Sequence, residues 1–245
     1  MSQAKKIFTR MCLNNWGGIN HKVLEFNEYV NLFSGKSGSG KSTVMDAIQV
    51  ILYGSFSPSF LNKAADDAKN RRSVLSYLRG EQKDGSANRK DCDFCSVIAL
   101  EIEDTGTHII TCIGIAFEVR KSDSEIKKFV YFSHSGKMPE SEYLTEQGVC
   151  YSNQEIKKLV SARTKSDDNR GKGEVNRIYG SKEAYLGTLY DVILGYIDQN
   201  RFITMEKSAI ALKMTNGTGQ FIRDYMFPKN TSNTIATISE QLDSY

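Results

Sequence analysis

The apolar and polar positions along the chain mark out a β pair, one buried helix and then a second β cluster. Residues 5–13 and 22–26 read as two strands joined by the turn-rich run Asn14-Asn15-Trp16-Gly17-Gly18. Residues 30–34 (Val-Asn-Leu-Phe-Ser) form a short apolar run readable as a buried strand. Residues 41–53 lack Gly and Pro and are apolar at Val44, Met45, Ala47, Ile48, Ile51 and Leu52, which predicts a mostly buried helix. Residues 54–70 read as a loop, and residues 71–79 as a short helix or an extended stretch. Three further strands are expected at 94–102, 108–120 and 127–133, connected by hairpin loops at 103–106 and 121–124. Beside the helical unit these predict a mixed sheet. Residues 162–174 are polar and basic and read as a surface loop. Residues 182–197 show helical spacing, and residues 231–245, apolar at Ile235, Ile238 and Leu242, form an amphipathic pattern. No internal repeat is visible.

Between the apolar run and the buried helix lies Gly35-Lys36-Ser37-Gly38-Ser39-Gly40-Lys41-Ser42, which satisfies G-x-x-x-x-G-K-[ST] without a mismatch. Each residue type has a task. Glycines let the backbone turn tightly and bring its N–H groups against phosphate oxygens. Lys41 is the point charge for the terminal phosphates, and the Ser42 hydroxyl is a ligand for Mg²⁺. The helix that follows, from Lys41 through Thr43, directs its positive dipole end at the same place. Strand, glycine-rich loop and helix together predict a nucleoside-triphosphate site with Mg²⁺, without a motif that reads the base.

Composition narrows the class but adds no chemistry. With 40% hydrophobic and 25% charged residues the chain can bury a substantial core. No apolar stretch approaches the ~18 residues of a membrane span, and residues 1–7 carry no signal-peptide pattern, so a cytoplasmic location is expected. The net charge of +3 does not by itself imply nucleic-acid binding. Five cysteines include one C-x-x-C, Cys92 to Cys95, without a second pair, and read as reduced structural thiols. His21, His108 and His134 are too far apart in sequence to suggest a metal site. Asn216 and Asn230 match the glycosylation pattern, which is idle without secretion.

A self-contained hydrolase also needs an Asp at the end of a buried strand and a residue to orient water. The best candidate is the stretch 192–199, Val-Ile-Leu-Gly-Tyr-Ile-Asp-Gln, with Gln199 where a Glu would be expected. It reads as a core helix ending at Asp198, with a metal-ligating strand as the alternative. No Leu-Ser-Gly-Gly stretch is present.

Several segments carry a resemblance that explains this gap. Asn15-Trp16-Gly17-Gly18, the run Ser37 to Thr43 followed by Met45-Asp46-Ala47-Ile48-Gln49, residues 70–80 (Asn-Arg-Arg-Ser-Val-Leu-Ser-Tyr-Leu-Arg-Gly) and residues 221–227 (Phe-Ile-Arg-Asp-Tyr-Met-Phe) occur in this order. Together they resemble the N-terminal half of SMC-like ATPase heads, in the bacterial condensin and Wadjet branch typified by JetC, MksB and MukB. The resemblance implies an α/β P-loop NTPase of the ABC/SMC head type. Residues 1–230 would be its N-terminal lobe, with an antiparallel β layer, and 231–245 the start of a coiled-coil helix in a truncated or split polypeptide. It implies ATP on Gly35, Lys36, Ser37, Gly38, Ser39, Gly40, Lys41, Ser42 and Thr43, with Mg²⁺ on Ser42 and a weaker ligand in Gln199. Arg72 or Arg79 would be the nucleotide-contacting arginine, the alternative being surface salt bridges. Trp16 would line the pocket or serve as a packing anchor. The implied partners are the C-terminal half of the head, a second head, kleisin and accessory subunits, and DNA bound without sequence preference near the nucleoid. Lys5, Lys6, Lys127, Lys128, Lys165, Arg170 and Lys172 are the candidate DNA contacts, solvated surface being the reading preferred for most. The implied work is ATP-gated head engagement driving DNA loop extrusion or entrapment, in chromosome organisation or plasmid defence. Two other classes remain open: a self-contained phosphotransferase with a lid at Arg170-Gly171-Lys172-Gly173, and a nucleotide-holding switch without turnover. A transporter ATPase is weaker, lacking its signature motif.

Overall fold

The computed structural model describes residues 4–34, 40–57, 73–82, 84–167 and 175–210, the last with side chains to Glu206. Residues 4–198 form one unit, and helix α5 (Gln199–Ile210) belongs to a second.

The first unit is built on a six-stranded sheet in the order β2-β1-β3-β4-β5-β6. Its strands are β1 (Lys6–Trp16), β2 (Ile19–Glu25), β3 (Phe94–Asp104), β4 (Ile110–Val119), β5 (Lys128–Ser135) and β6 (Arg177–Tyr179). Every pair is antiparallel, so the expected mixed sheet is corrected to an antiparallel one. The reason is connectivity: β1–β2 is one hairpin, β3–β4–β5 are joined by two more, and the crossover from β2 to β3 sets β3 beside β1, to which it runs antiparallel.

The middle strands are apolar on both sides because both sheet faces are covered. On one face Cys12, Val97, Ala99, Cys112, Ala116 and Phe132 pack against Met138, Tyr143 and Cys150, and against Ile156 and Val160 of helix α3 (Asn153–Asp167). Ile156 and Val160 are the buried i, i+4 pair of an otherwise polar helix, which runs six residues into the segment read as loop. The other face carries α1 (Lys41–Tyr53), α2 (Val74–Arg79) and α4 (Lys182–Gly187). There Phe56 packs on Phe117, Phe129 and Tyr131, and Tyr131 stacks on Tyr185 of α4.

Three further expectations change. The turn after β1 shrinks to Gly17-Gly18, because β1 continues through Trp16. Asn15 sits at φ 55 and donates its side-chain amide to the Cys95 carbonyl at 2.7 Å. This left-handed residue breaks the two-residue alternation. Cys12 and Asn14 reach Glu142 on the α3 side, whereas Trp16 turns to the α1 side. The run 30–34 forms no strand, and Tyr29, Val30 and Leu32 are 78%, 75% and 88% exposed. The helix expected over 182–197 is α4 followed by a π-helical turn, Thr188–Ile193, and ends before Asp198. Gly195 (φ 82) and Tyr196 (φ 61) adopt the left-handed backbone that terminates helices. Residues 192–198 form neither the continuous helix nor the metal-ligating strand. The pattern at 221–245 lies outside the described residues.

Candidate nucleotide site

α1 begins at Gly40, whose φ of 88 suits glycine, and Val44 N–H donates to the Gly40 carbonyl at 3.2 Å to close the first turn. No acidic residue occupies that turn, so nothing within it neutralises the helix's positive end. Ser42 is exposed, Lys41 half-buried and Thr43 buried. Exposure of Ser42 leaves its hydroxyl accessible to a metal-bound phosphate. Gly35, Lys36, Ser37, Gly38 and Ser39 lie outside the described residues, as does Arg72.

The first turn of α1 rests on three other segments. The fully buried Trp16 donates its indole N–H to the Thr43 carbonyl at 2.9 Å and stacks on Tyr77 of α2, centroids 5.0 Å apart and planes within 6°. The Tyr77 hydroxyl bonds the buried Asp46 carboxylate. Trp16 therefore anchors packing beneath the motif rather than lining an open pocket. α2 is capped by Ser73, whose hydroxyl accepts from Ser76 N–H at 3.1 Å, and ends at Gly80 with φ 65. The turn and α2 are bonded directly, Gly17 N–H donating to the Tyr77 carbonyl at 2.8 Å. Both glycines are required by space. A Cβ on Gly17 would lie 2.6 Å from Thr43 Cγ2, and one on Gly80 would lie 2.6 Å from the Gly17 carbonyl oxygen.

Arg89, which the sequence did not single out, completes the assembly. Its buried guanidinium donates to the carbonyls of Leu78 (2.8 Å) and Gly17 (2.5 Å) and to Asn20 Oδ1 (3.0 Å). All three acceptors are neutral, and burial pulls its pKa below the ordinary guanidinium value. An isolated arginine in the polar loop before β3 gives no sequence signal for this role.

The far end of α1 is fixed by tyrosines. Tyr185, Tyr190 and Tyr131 donate their hydroxyls to the carbonyls of Ile51 (2.9 Å), Leu52 (2.7 Å) and Gly54 (2.6 Å). These are among the carbonyls a helix C-terminus leaves without intrahelical partners.

The other sequence candidates are scattered. Arg79 Nη2 donates to the carbonyls of Lys121 (3.2 Å) and Asp123 (2.5 Å) in the β4–β5 turn, so it makes neither a surface salt bridge nor a free arm. Gln199 opens α5, in the second unit. Lys5, Lys6, Lys127 and Lys128 pair with Glu28, Asp104, Asp123 and Glu118. Lys6 faces the end of β3, whereas Lys128 faces the end of β4, so the two pairs stand at opposite ends of the sheet. Ten residues of strand put them about 30 Å apart, and they form no single basic patch. Lys165 lies in the last turn of α3, and Arg170 and Lys172 are outside the described residues. Among the described residues no group of three or more His, Cys, Asp or Glu could hold a metal; Cys92 is exposed and Cys95 half-buried. No described helix is long and apolar enough to cross a membrane.

Residues 8–68, about a quarter of the chain, match the protein family described as the P-loop containing region of AAA domain. The match spans β1, β2 and α1 and supports a P-loop NTPase with a nucleotide-binding role. A search of curated proteins gives no match.

Proposed function

We propose that this chain is the ATP-binding N-terminal lobe of an SMC-like head, and that a second polypeptide segment completes its fold and its catalysis. The observation that carries the reading is the stretch leading into the phosphate motif. A P-loop ordinarily follows a buried strand, yet Val30 and Leu32 are 75% and 88% exposed here. All six strands of the sheet are engaged in an antiparallel array that leaves this run outside it. Such a run becomes a strand when neighbours are supplied on either side. The C-terminal half of the head is the partner this reading assigns to it. ATP and Mg²⁺ would then sit on the motif ending at Thr43, with an opposing head closing over them. Engagement of two heads through ATP, and their release on hydrolysis, is the cycle that would act on DNA.

The test is equilibrium binding of MgATP and steady-state phosphate release by this chain, beside Lys41→Ala. Binding without turnover is expected. Loss of Lys41 weakens binding about 10- to 100-fold, the worth of a charge-assisted phosphate contact. Lys41-dependent turnover by the chain alone would overturn the half-head reading. Turnover appearing only with an added acceptor would mark a phosphotransferase instead.

A further inference from the structure

We infer that Tyr77 and Arg89 are positioning residues for the phosphate site, holding the first turn of α1 in place through the seat formed by α2 and the Gly17-Gly18 turn. The inference rests on the nucleotide-binding reading above and adds residues outside the phosphate motif to it.

The contacts on α1 fall where they matter for a phosphate site. Trp16 bonds the carbonyl of Thr43, and Tyr77 bonds Asp46, so both lie within about one turn of Lys41 and Ser42. Neither Trp16 nor Tyr77 could hold α1 if its own backbone moved. Arg89 supplies that constraint. It joins the Leu78 carbonyl at the end of α2 to the Gly17 carbonyl of the turn, and Asn20 fixes its third edge. The planar fork of a guanidinium meets several acceptors in fixed directions, which an ammonium cannot do. Gly80 allows the Gly17 carbonyl to approach the end of α2 without a side chain between them. The two glycine turns, α2 and Arg89 thus make one block, and α1 is seated on it at its phosphate end. Misplacing catalytic or binding groups by about 1 Å can cost up to about a hundredfold, so this seat sets how well Lys41 and Ser42 meet their ligand.

The helix offers its own control. Tyr185 makes a buried hydroxyl-to-carbonyl bond at the opposite end of α1, to Ile51. Tyr77→Phe and Tyr185→Phe each remove one phenol hydroxyl, the first from Asp46 in the N-terminal half of the helix and the second from Ile51 in its last turn. MgATP affinity, melting temperature, amide hydrogen exchange across residues 41–53 and Trp16 emission are measured for both, and for Arg89→Lys. Tyr77→Phe is expected to weaken MgATP binding about 5- to 10-fold, to speed exchange over residues 43–46 and to shift Trp16 emission. Tyr185→Phe is expected to lower the melting temperature comparably, to speed exchange only near residues 51–54 and to leave MgATP affinity within twofold. Arg89→Lys should behave like Tyr77→Phe, because charge without the fork does not rescue it. Equal affinity losses at both ends, or unchanged affinity and exchange in Tyr77→Phe, would overturn the inference. If the unmodified chain binds no MgATP, the nucleotide reading itself fails. The exchange comparison then still decides whether Tyr77 seats the first turn.

Discussion

Gly17→Ala is the most discriminating single change in this fold, because two independent penalties meet at one atom. The residue has φ +57, where an added Cβ costs about 1 kcal/mol. That Cβ would also lie 2.6 Å from Thr43 Cγ2, well inside van der Waals contact. Overpacking of this kind costs about 1–3 kcal/mol, so a total near 3 kcal/mol is expected. For a domain of this size each kcal/mol lowers the melting temperature by about 2–4 °C, giving a fall of roughly 6–12 °C. The two contributions separate in a double-mutant cycle with Thr43→Ser, which deletes Cγ2 and keeps the hydroxyl. Thr43→Ser alone should cost about 1 kcal/mol for one lost buried methyl. In the double variant the clash disappears while the backbone strain stays, leaving a favourable coupling of about 1–2 kcal/mol. Urea denaturation of the four proteins measures it. Strict additivity of the two single effects would refute the close contact between the β1–β2 turn and α1.

Two further outcomes follow from buried titratable groups. His134 is fully buried between the Tyr143 hydroxyl and the Ser135 carbonyl, and burial lowers its pKa to about 4. The unfolded chain takes up a proton below about 6.5 and the folded chain only near 4. Stability is therefore complete above pH 6.5 and falls by about 3 kcal/mol as the pH drops to 4; His134→Gln should flatten that part of the denaturation profile relative to the unmodified chain. Burial pushes the Cys12 thiol up to about 12 and raises Cys112 and Cys150 further, while Cys95 rises to about 11 and Cys92 is exposed. Iodoacetamide at neutral pH should label Cys92 rapidly in the folded chain and all five thiols only after unfolding; rapid labelling of Cys112 would contradict its place in the core.

The main strands were legible in the sequence because both sheet faces are covered, so residues 94–102 and 108–120 are apolar enough to recognise without alternation. The β3–β4 and β4–β5 hairpins followed from their polar loops. The run at 30–34 shows the limit of the same signal. Its apolar pattern states a preference for burial, but a strand also needs a partner, and among the described residues none pairs with this run. Helix ends were misread where a single residue decides. Gly195 stops the helix three residues before Asp198 although the apolar spacing continues to Ile197. At the site, Lys41, Ser42 and their helix were legible because the phosphate motif is local in sequence. Their supports were not, since Arg89 and Tyr77 act across about 30 to 70 residues and through backbone carbonyls that any residue type provides. Trp16 was visible as either a lining or an anchoring residue, and the left-handed Asn15 decides between them by turning it towards Thr43.

The π-helical turn at 188–193 has a consequence in register. In a regular α-helix, residues five apart point about 140° away from each other around the axis. Tyr185 and Tyr190 are five apart, yet both hydroxyls reach neighbouring carbonyls, those of Ile51 and Leu52. The i to i+5 ladder between them supplies the missing rotation by accommodating one residue more per turn. The turn thus behaves as a one-residue insertion held in place by what it aligns. Straightening the turn into a regular α-helix at its present length would set the two tyrosines about 140° apart, whereas deleting one residue between them would leave them about 40° apart and still on one face.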